Sequence, residues 1–226
     1  MQKDKDVIGR RSMLAGLGVA AIGGIAASAC AEDEKAGFEP ARNQRDAWFD
    51  ELPGDHRVFI DSATGNGGAE ACLFARNILS ANKNAYAGKD SDYAMIVGFR
   101  HFATVFGFVD SVWEKYGEAI QPILPFNDPK TGAAPKINLM RAADRTSLPN
   151  AGVTIDALID RGVQFAICDN ATHFFSRFLA SKGFGEAEDI YKELRASPIP
   201  QSRFVSAGVM ALTRAQEYGY SVVNAG

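Results

Sequence analysis

The sequence predicts an α/β protein: a single domain with a mostly parallel, five-stranded sheet flanked by helices on both faces. Two observations carry this prediction. From residue 55 to residue 226, short apolar runs alternate with longer helical stretches, as parallel strands and their crossover helices do. The chain has 226 residues, 46% of them hydrophobic and 23% charged, so it is long enough for one well-buried core and too short to favour two domains.

The predicted elements follow one another in a regular order. The strands are the apolar runs RVFIDSA (57–63), DYAMIVGF (92–99), VQFAICD (163–169), RFVSA (203–207) and YSVVNA (220–225). The helices are the stretches between them, at 67–86, 101–117, 154–162, 172–184, 186–197 and 209–219. Every strand except the last is thus followed by at least one helix, which gives a doubly covered sheet that is flavodoxin-like in outline.

Residues 1–30 have the layout of an export signal. A charged start and the pair Arg10-Arg11 precede an apolar stretch over 13–27, which ends in small residues suited to cleavage. Twin arginines predict the twin-arginine route, which exports folded proteins, so we expect a periplasmic protein. Cys30 leaves two alternatives open: a lipid on this cysteine would tether the protein to a membrane, whereas cleavage after residue 29 or 31 would release it.

Two segments lack the regular alternation. Residues 31–54 are charged and show no useful periodicity, which predicts a linker, with room for a short helix around Trp48, before the domain at 55–226. Residues 118–152 are rich in proline and predict an irregular insertion within that domain. Insertions of this length in compact domains act as lids, as binding loops or as surface decoration.

Composition and motifs argue against several functions. The formal charge is −3 and no basic stripe interleaves with aromatic residues, so nucleic acid is not an expected partner. The histidines and cysteines do not have the spacing of a structural zinc site, and we expect neither a metal nor another cofactor. There is no G-x-S-x-G elbow of a hydrolase and no complete phosphate-binding P-loop.

Cys168, in the segment GVQFAICDNATHFF, is the strongest candidate for chemistry. It stands where a buried strand gives way to turn-forming residues, at the edge of the sheet where α/β proteins bind ligands. His101 follows the preceding strand, so we expect both side chains to share a pocket. There the imidazole, with the N-terminus of the helix predicted to begin at His101, would stabilise the nucleophilic thiolate. His173 is a second candidate with packing as its alternative, and Cys72 lies on an apolar helix face, where cysteines are usually inert.

A glycine-rich loop, SATGNGG, joins the first strand to the first helix. It is close to the phosphate loop of flavodoxins, and the N-terminus of a following helix favours an anion. Two interpretations stay open: a loop that binds flavin or another small ligand, and a tight turn that needs glycine for its backbone angles. The residues that would hold the ligand are Ser62, Thr64, Gly65, Asn66, Gly67 and Gly68.

Several segments together resemble the DsrE/DsrF-like family, small α/β proteins related to sulfur-relay components. They are GVQFAICDNA, the closing segment RFVSAGVMALTRAQEYGYSVV, ARNIL in the first helix and the histidine after the second strand. The resemblance covers about residues 56–226 apart from the insertion, and it implies that Cys168 bears sulfur in a pocket with His101. It also implies a trimer or hexamer and a protein that donates or accepts the sulfur. The export signal and the insertion depart from the family pattern.

We therefore predict an exported DsrE-like sulfur carrier or thiol-chemistry protein rather than a turnover enzyme. The alternatives are a flavin- or small-ligand-binding module and an oligomeric interaction domain. The helix predicted over 101–117 is apolar on nearly every side, more than one sheet face can cover, which predicts self-association. The alternative is that the insertion over 118–152 folds back onto this helix within the same chain.

Overall fold

The computed structural model describes residues 39–226, which form a five-stranded, fully parallel sheet with helices around it. The strands are β1 (His56–Ser62), β2 (Tyr93–Phe99), β3 (Gln164–Cys168), β4 (Ser202–Val205) and β5 (Ser221–Ala225). They lie in the order β4-β3-β2-β1-β5, and each neighbouring pair is parallel. The predicted α/β class and the predicted five-stranded sheet are confirmed.

Helices connect the strands and flank the sheet. The α-helices of the described residues are α1 (Trp48–Glu51), α2 (Gly65–Tyr86), α3 (Asp110–Ile120), α4 (Ile155–Ile159), α5 (Asp169–Ser181), α6 (Ala187–Ala196) and α7 (Gly208–Glu217). Short 3-10 helices occupy Gln44–Asp46, Asp90–Asp92, His101–Gly107, Gln121–Ile123 and Leu139–Arg141. No helix of residues 39–226 is both long enough and apolar enough to cross a membrane.

The two faces of the sheet carry separate apolar clusters. Ile60 and Val97 belong to the larger cluster, which includes the buried side of α2 and most of the aromatic core. Phe59 and Ile96, their neighbours along the strands, belong to a smaller cluster with α1 and α7. Because successive strand residues point to opposite faces, strands buried on both faces are apolar at nearly every position. This continuous apolarity is the pattern that predicted the fold.

Part of the segment predicted as a linker, residues 31–54, belongs to the folded domain. The compact unit begins at Pro40, and Trp48 and Phe49 of α1 are buried against the sheet. The carbonyl oxygen of Phe49 accepts hydrogen bonds from Arg57 Nη1 and from Tyr220 Oη, both at 2.7 Å. The sequence did not indicate that this segment packs on the sheet. Only two adjacent aromatic residues make the buried contact, and the residues around them are charged. The predicted export signal and Cys30 lie outside the described residues.

The helix predicted over 101–117 is wrong in its first half. Residues 101–107 form a 3-10 helix, and α3 begins only at Asp110. Between them Phe108 is extended and makes an isolated antiparallel bridge with Pro198, while its side chain is buried. The bridge takes backbone hydrogen-bonding groups that a continuous helix would need for itself, so the chain changes direction here.

The insertion over 118–152 folds back onto this region within the chain. Asn138 Nδ2 donates to the carbonyl oxygens of Phe106 and Phe108, each at 2.8 Å, and Leu139 and Met140 are fully buried in the larger cluster. Pro135 packs so closely on α3 that a side chain at Gly117 would overlap its carbonyl oxygen. The aromatic side chains of α3 are therefore covered without a partner, and the apolar surplus that predicted self-association is absent from the surface.

A buried ion pair holds the insertion together. Arg145 donates from Nε and Nη2 to the two carboxylate oxygens of Asp128, at 3.0 and 2.9 Å. The exposed fraction of the two side chains is 10% for Arg145 and 5% for Asp128. These hydrogen bonds hold the pKa of the Asp128 carboxyl below its ordinary value.

We expect this pair to make the fold sensitive to acid. Because the pKa of Asp128 is lower in the folded protein than in the unfolded chain, where it is about 4, the pair stabilises above that pH and loses its contribution as the pH falls further. Asp128→Asn should cost about 2 kcal/mol in unfolding free energy at pH 7 and flatten the decline toward pH 3. Asp156→Asn, which breaks the more exposed pair with Arg141, is the control and should cost less than about 1 kcal/mol. Urea unfolding at both pH values measures this, and equal costs for the two variants would contradict the assignment.

Candidate functional site

A cavity of about 410 Å³ opens at the carboxyl ends of β2, β3 and β4. Three chain segments that follow these strands form its walls. The lining residues are Arg100, His101 and Phe102 after β2, Cys168, Asn170, Ala171 and Phe174 at the end of β3 and in α5, and Ala207, Gly208 and Val209 after β4. We call it the thiol cavity. Cys168 and His101 both line it, because β2 and β3 are parallel neighbours whose carboxyl ends share one edge of the sheet.

Cys168 is the last residue of β3 and its side chain is 6% exposed. Its Sγ atom accepts a hydrogen bond from the backbone N–H of Gly208, at 3.2 Å. Gly208 is the first residue of α7, so the sulfur lies at the positive end of a ten-residue helix. A donated N–H and a helix N-terminus both favour negative charge on sulfur, which is the form that reacts as a nucleophile.

The approach of α7 to the end of β2 requires glycine at position 208. A Cβ atom on Gly208 would overlap the Cβ of Arg100 and lie 3.2 Å from its Cδ. The sulfur of Cys168 and the side chain of Arg100 therefore both contact Gly208, the first residue of α7. No larger side chain fits there without moving one of them.

Arg100 brings a guanidinium that is paired with a buried carboxylate to the thiol cavity. Its Nε and Nη2 atoms donate to the two carboxylate oxygens of Asp61, both at 2.8 Å, and this pairing raises the pKa of the guanidinium above its ordinary value. Asp61 lies in β1 and is 4% exposed. Sequence reasoning missed both residues. The available signal was their position, because each is a charged residue at the carboxyl end of one of two neighbouring apolar strands.

His101 has a different setting from the one predicted. It is exposed, its backbone is left-handed with φ of 51°, and its ring packs on that of Phe102 with centroids 3.9 Å apart. The donor to the Cys168 sulfur is the Gly208 N–H and not the imidazole. The helix N-termini at the thiol belong to α7 and to α5, whose N-cap is Cys168, whereas the segment beginning at His101 is a seven-residue 3-10 helix. His101 is thus a residue of the cavity mouth.

His173 and Cys72, the other residues considered for thiol chemistry, pack against neighbouring side chains outside the thiol cavity. His173 stacks on Tyr191, with centroids 3.8 Å apart, and its Nε2 lies 4.0 Å from Asp169. It is not among the residues that line the thiol cavity. Cys72 is fully buried in α2, and burial raises the pKa of its thiol to about 12, so it is protonated at neutral pH. Cys72 and Cys168 are not joined by a disulfide.

Other residues of the chain occupy the space around the SATGNGG loop. Thr64 caps α2 by accepting the Gly67 N–H at 2.9 Å, and Ser62 donates to the carbonyl oxygen of Gly98 at 2.7 Å. A side chain at Gly67 would overlap the carbonyl oxygen of Ala225. Likewise a Cβ on Gly65 would lie 2.6 Å from Pro125, and one on Gly68 would lie 2.6 Å from Phe106, while Asn66 is exposed. The glycines are thus required by close contacts and not by backbone angles, because none of the three has a positive φ and all lie in the first turn of α2. Since neighbouring groups occupy the space around the loop, we do not propose a flavin site there.

The comparisons with known proteins supply no relative. No family model, no curated protein and no solved structure matches the chain. Among residues 39–226 there is also no group of three or more histidine, cysteine or acidic side chains that could hold a metal ion. The geometry around Cys168 is therefore the basis for a functional proposal.

Apolar side chains surround the mouth of the thiol cavity. Phe174 and Val209 line it and are 45% and 56% exposed, and the adjacent Met210 is 49% exposed. Exposed large apolar side chains are otherwise few in the described part of the chain. The arrangement combines a buried thiol, an N–H donor and a guanidinium at the base with an apolar rim, which suits a small group held on sulfur while another surface docks over it.

Proposed function

We propose that the protein binds and carries sulfane sulfur as a persulfide on Cys168. The observation that supports this most is the hydrogen bond from the Gly208 N–H, at the N-terminus of α7, to the Cys168 sulfur. It stabilises negative charge both on the free thiolate and on the thiolate that remains when the carried sulfur leaves. The resemblance of the Cys168 segment to the DsrE/DsrF-like family implies the same chemistry. Carriage rather than turnover fits a site that has one nucleophile in a small, mostly apolar cavity.

The transfer balances without an external oxidant. The Cys168 thiolate attacks the terminal sulfur of a persulfide donor, R–S–SH, so that a new S–S bond forms on Cys168 as the donor's S–S bond breaks. The donor leaves as the thiolate R–S⁻, and the carried sulfur leaves later by the same exchange with an acceptor thiolate. Arg100 also lines the cavity, but its charge is balanced by the ion pair with Asp61. The apolar walls limit water at the site, and the 6% exposure of Cys168 limits overoxidation.

Mass spectrometry after exposure to inorganic polysulfide tests the proposal. With Cys30→Ser as the background, the folded protein should gain sulfur on the peptide that contains Cys168, and a thiol reductant should remove it. Cys168→Ser should take up none. Cys72→Ser is the matched control and should take up as much as the background protein, because Cys72 is fully buried. Sulfur uptake by Cys168→Ser, or no uptake by the background protein, would overturn the proposal, and a yellow protein that releases flavin on denaturation would favour the alternative module.

We also propose that the protein works in the periplasm after export by the twin-arginine route. The support is the pair Arg10-Arg11 before the apolar stretch over 13–27. Changing Arg10 and Arg11 together to lysine should leave the full-length precursor inside the cell, detected by immunoblotting of fractions. Normal maturation of this variant would show that the route is different. Mass analysis of the mature N-terminus then decides between lipid on Cys30 and cleavage beside it.

The partners we propose are further copies of this chain and a protein that donates or accepts sulfur. The resemblance implies a trimer or hexamer, and the exposed Phe174 and Val209 supply an apolar surface at the thiol cavity. Light scattering of the mature protein measures the assembly. A monomer at working concentrations would contradict self-association, and the sulfur-exchange protein would then be the one proposed partner for these apolar side chains.

A further inference from the structure

A second cavity, of about 540 Å³, lies beside the connection between β4 and α7. It is lined by residues within 43–48, 203–207 and 210–214, so it lies between the N-terminal segment, the edge strand and the start of α7. It shares Ala207 with the thiol cavity but contains neither Cys168 nor His101. We call it the arginine cavity. Its volume falls in the range of about 300–1,000 Å³ that is usual for small-molecule sites.

Three arginines line this cavity, although the chain as a whole has a formal charge of −3. Arg214 is neutralised, because its Nη1 donates to Glu217 at 2.7 Å and its Nε lies 3.8 Å from Asp46. Arg45 and Arg203 have no carboxylate within ion-pair distance among residues 39–226. Asp46 is the one acidic residue of the lining, so Arg45 and Arg203, both exposed, bring positive charge to it that no carboxylate of the described residues neutralises.

The floor of the arginine cavity is apolar. The indole of Trp48 lines it, stacks on Phe49 with centroids 4.1 Å apart, and is otherwise buried. The Arg203 guanidinium lies 5.2 Å from the centre of the indole, which places a cation beside an aromatic surface. Met210 and Ala211 of α7 complete the apolar part. A guanidinium fork recognises an oxyanion with two hydrogen bonds, and an aromatic floor favours a carbon skeleton.

The structure also offers backbone groups here. Within residues 39–226, β4 pairs only with β3 and forms an edge of the sheet, so groups on its outer side lack a strand partner. The stretch 203–207, which lines the arginine cavity, includes this edge. The lining of this cavity therefore includes an unpaired strand edge, two arginines without a carboxylate partner and a tryptophan.

We propose that the arginine cavity binds a small organic oxyanion, with its carboxylate, sulfonate or phosphate group on Arg45 and Arg203 and its apolar part against Trp48. The site is independent of the sulfur chemistry, because it shares no thiol or histidine with the thiol cavity. Binding would add a ligand next to the loop that positions Gly208.

Calorimetric titration of the full chain with naphthalene-2-sulfonate, at low ionic strength, tests this proposal. We expect saturable binding, at least tenfold weaker in the double variant Arg45→Gln, Arg203→Gln, because two charge-assisted hydrogen bonds are lost. Arg177→Gln, at an exposed arginine of α5 outside both cavities, is the matched control and should bind like the unmodified chain. The neutral naphthalene-2-methanol should bind at least tenfold more weakly than the sulfonate.

The proposal would be overturned by no saturable binding, by equal binding of the double variant and the control, or by equal binding of the neutral analogue. Phe174→Ser separates the two cavities, because Phe174 lines only the thiol cavity. Unchanged binding in this variant supports the arginine cavity. Lost binding there would place the sulfonate in the thiol cavity and contradict our assignment.

Discussion

Gly208→Pro should slow the alkylation of Cys168 at neutral pH by at least about tenfold relative to Gly208→Ala. Proline has no backbone N–H, so it removes the donor that lies 3.2 Å from the Cys168 sulfur. A hydrogen bond to a charged group is worth about 1.5–3 kcal/mol, and about 1.4 kcal/mol corresponds to a factor of ten. Proline is tolerated at the first position of a helix, and Ala207 before it is already extended, with φ of −146° and ψ of 133°.

The comparison with alanine separates the loss of the N–H, and the ring Cδ that replaces it beside the sulfur, from the effect of an added Cβ atom. Both substitutions add the Cβ atom that overlaps Arg100, but only alanine keeps the N–H. Iodoacetamide labelling rates at Cys168, with thermal melts to fix the folded fraction, measure the difference. His101→Ala, at the cavity mouth, should slow labelling less than Gly208→Pro does. Equal rates for the proline and alanine variants would show that α7 does not activate the thiol.

Arg100→Met should destabilise the fold by about 3 kcal/mol or more. The substitution leaves the carboxylate of Asp61, which is 4% exposed, without the guanidinium that donates to both of its oxygens. An unpaired buried charge costs far more than the net worth of the pair that held it. Denaturant unfolding at pH 7 measures the loss.

Two further variants identify the cause of that loss. Asp61→Asn combined with Arg100→Met removes both charges and should recover at least about 1 kcal/mol of the single-variant loss. Arg141→Met breaks a bidentate pair of the same kind with Asp156, which is about half exposed, and should cost less than about 1 kcal/mol. If the double variant is no more stable than Arg100→Met, lost packing of the arginine stem is the larger effect and the ion pair is not the cause.

The sheet and the edge that holds the site were predictable because parallel topology leaves few choices. Once five apolar runs alternate with helices, the carboxyl ends of the parallel strands are expected at one edge of the sheet. The strand order itself did not follow from the sequence, and it is because β2 and β3 are neighbours that Cys168 and His101 line one cavity. The residue that contacts the sulfur was not predictable in this way. Gly208 lies forty positions further along the chain, and its role depends on how closely α7 approaches Arg100.

The helix after β2 and the segment before β1 show why local patterns failed elsewhere. Residues 101–117 have helical composition throughout, but the bridge between Phe108 and Pro198 interrupts the helix through a contact ninety residues away. The charged segment that contains Trp48 lacks periodicity, yet two buried aromatic residues dock it on the sheet. In both places a long-range contact decided the structure, and composition over a short window carries no information about such contacts.

Mass analysis of Cys168 in protein isolated from its native compartment, with free thiols and persulfides labelled before lysis, shows whether this cysteine carries sulfur in the cell. We predict that a fraction of the Cys168 peptide carries one additional sulfur atom that a thiol reductant removes, and that the Cys72 peptide from the same sample carries none. A Cys168 peptide found only as an unmodified thiol, as a disulfide or as an irreversibly oxidised acid would contradict the account.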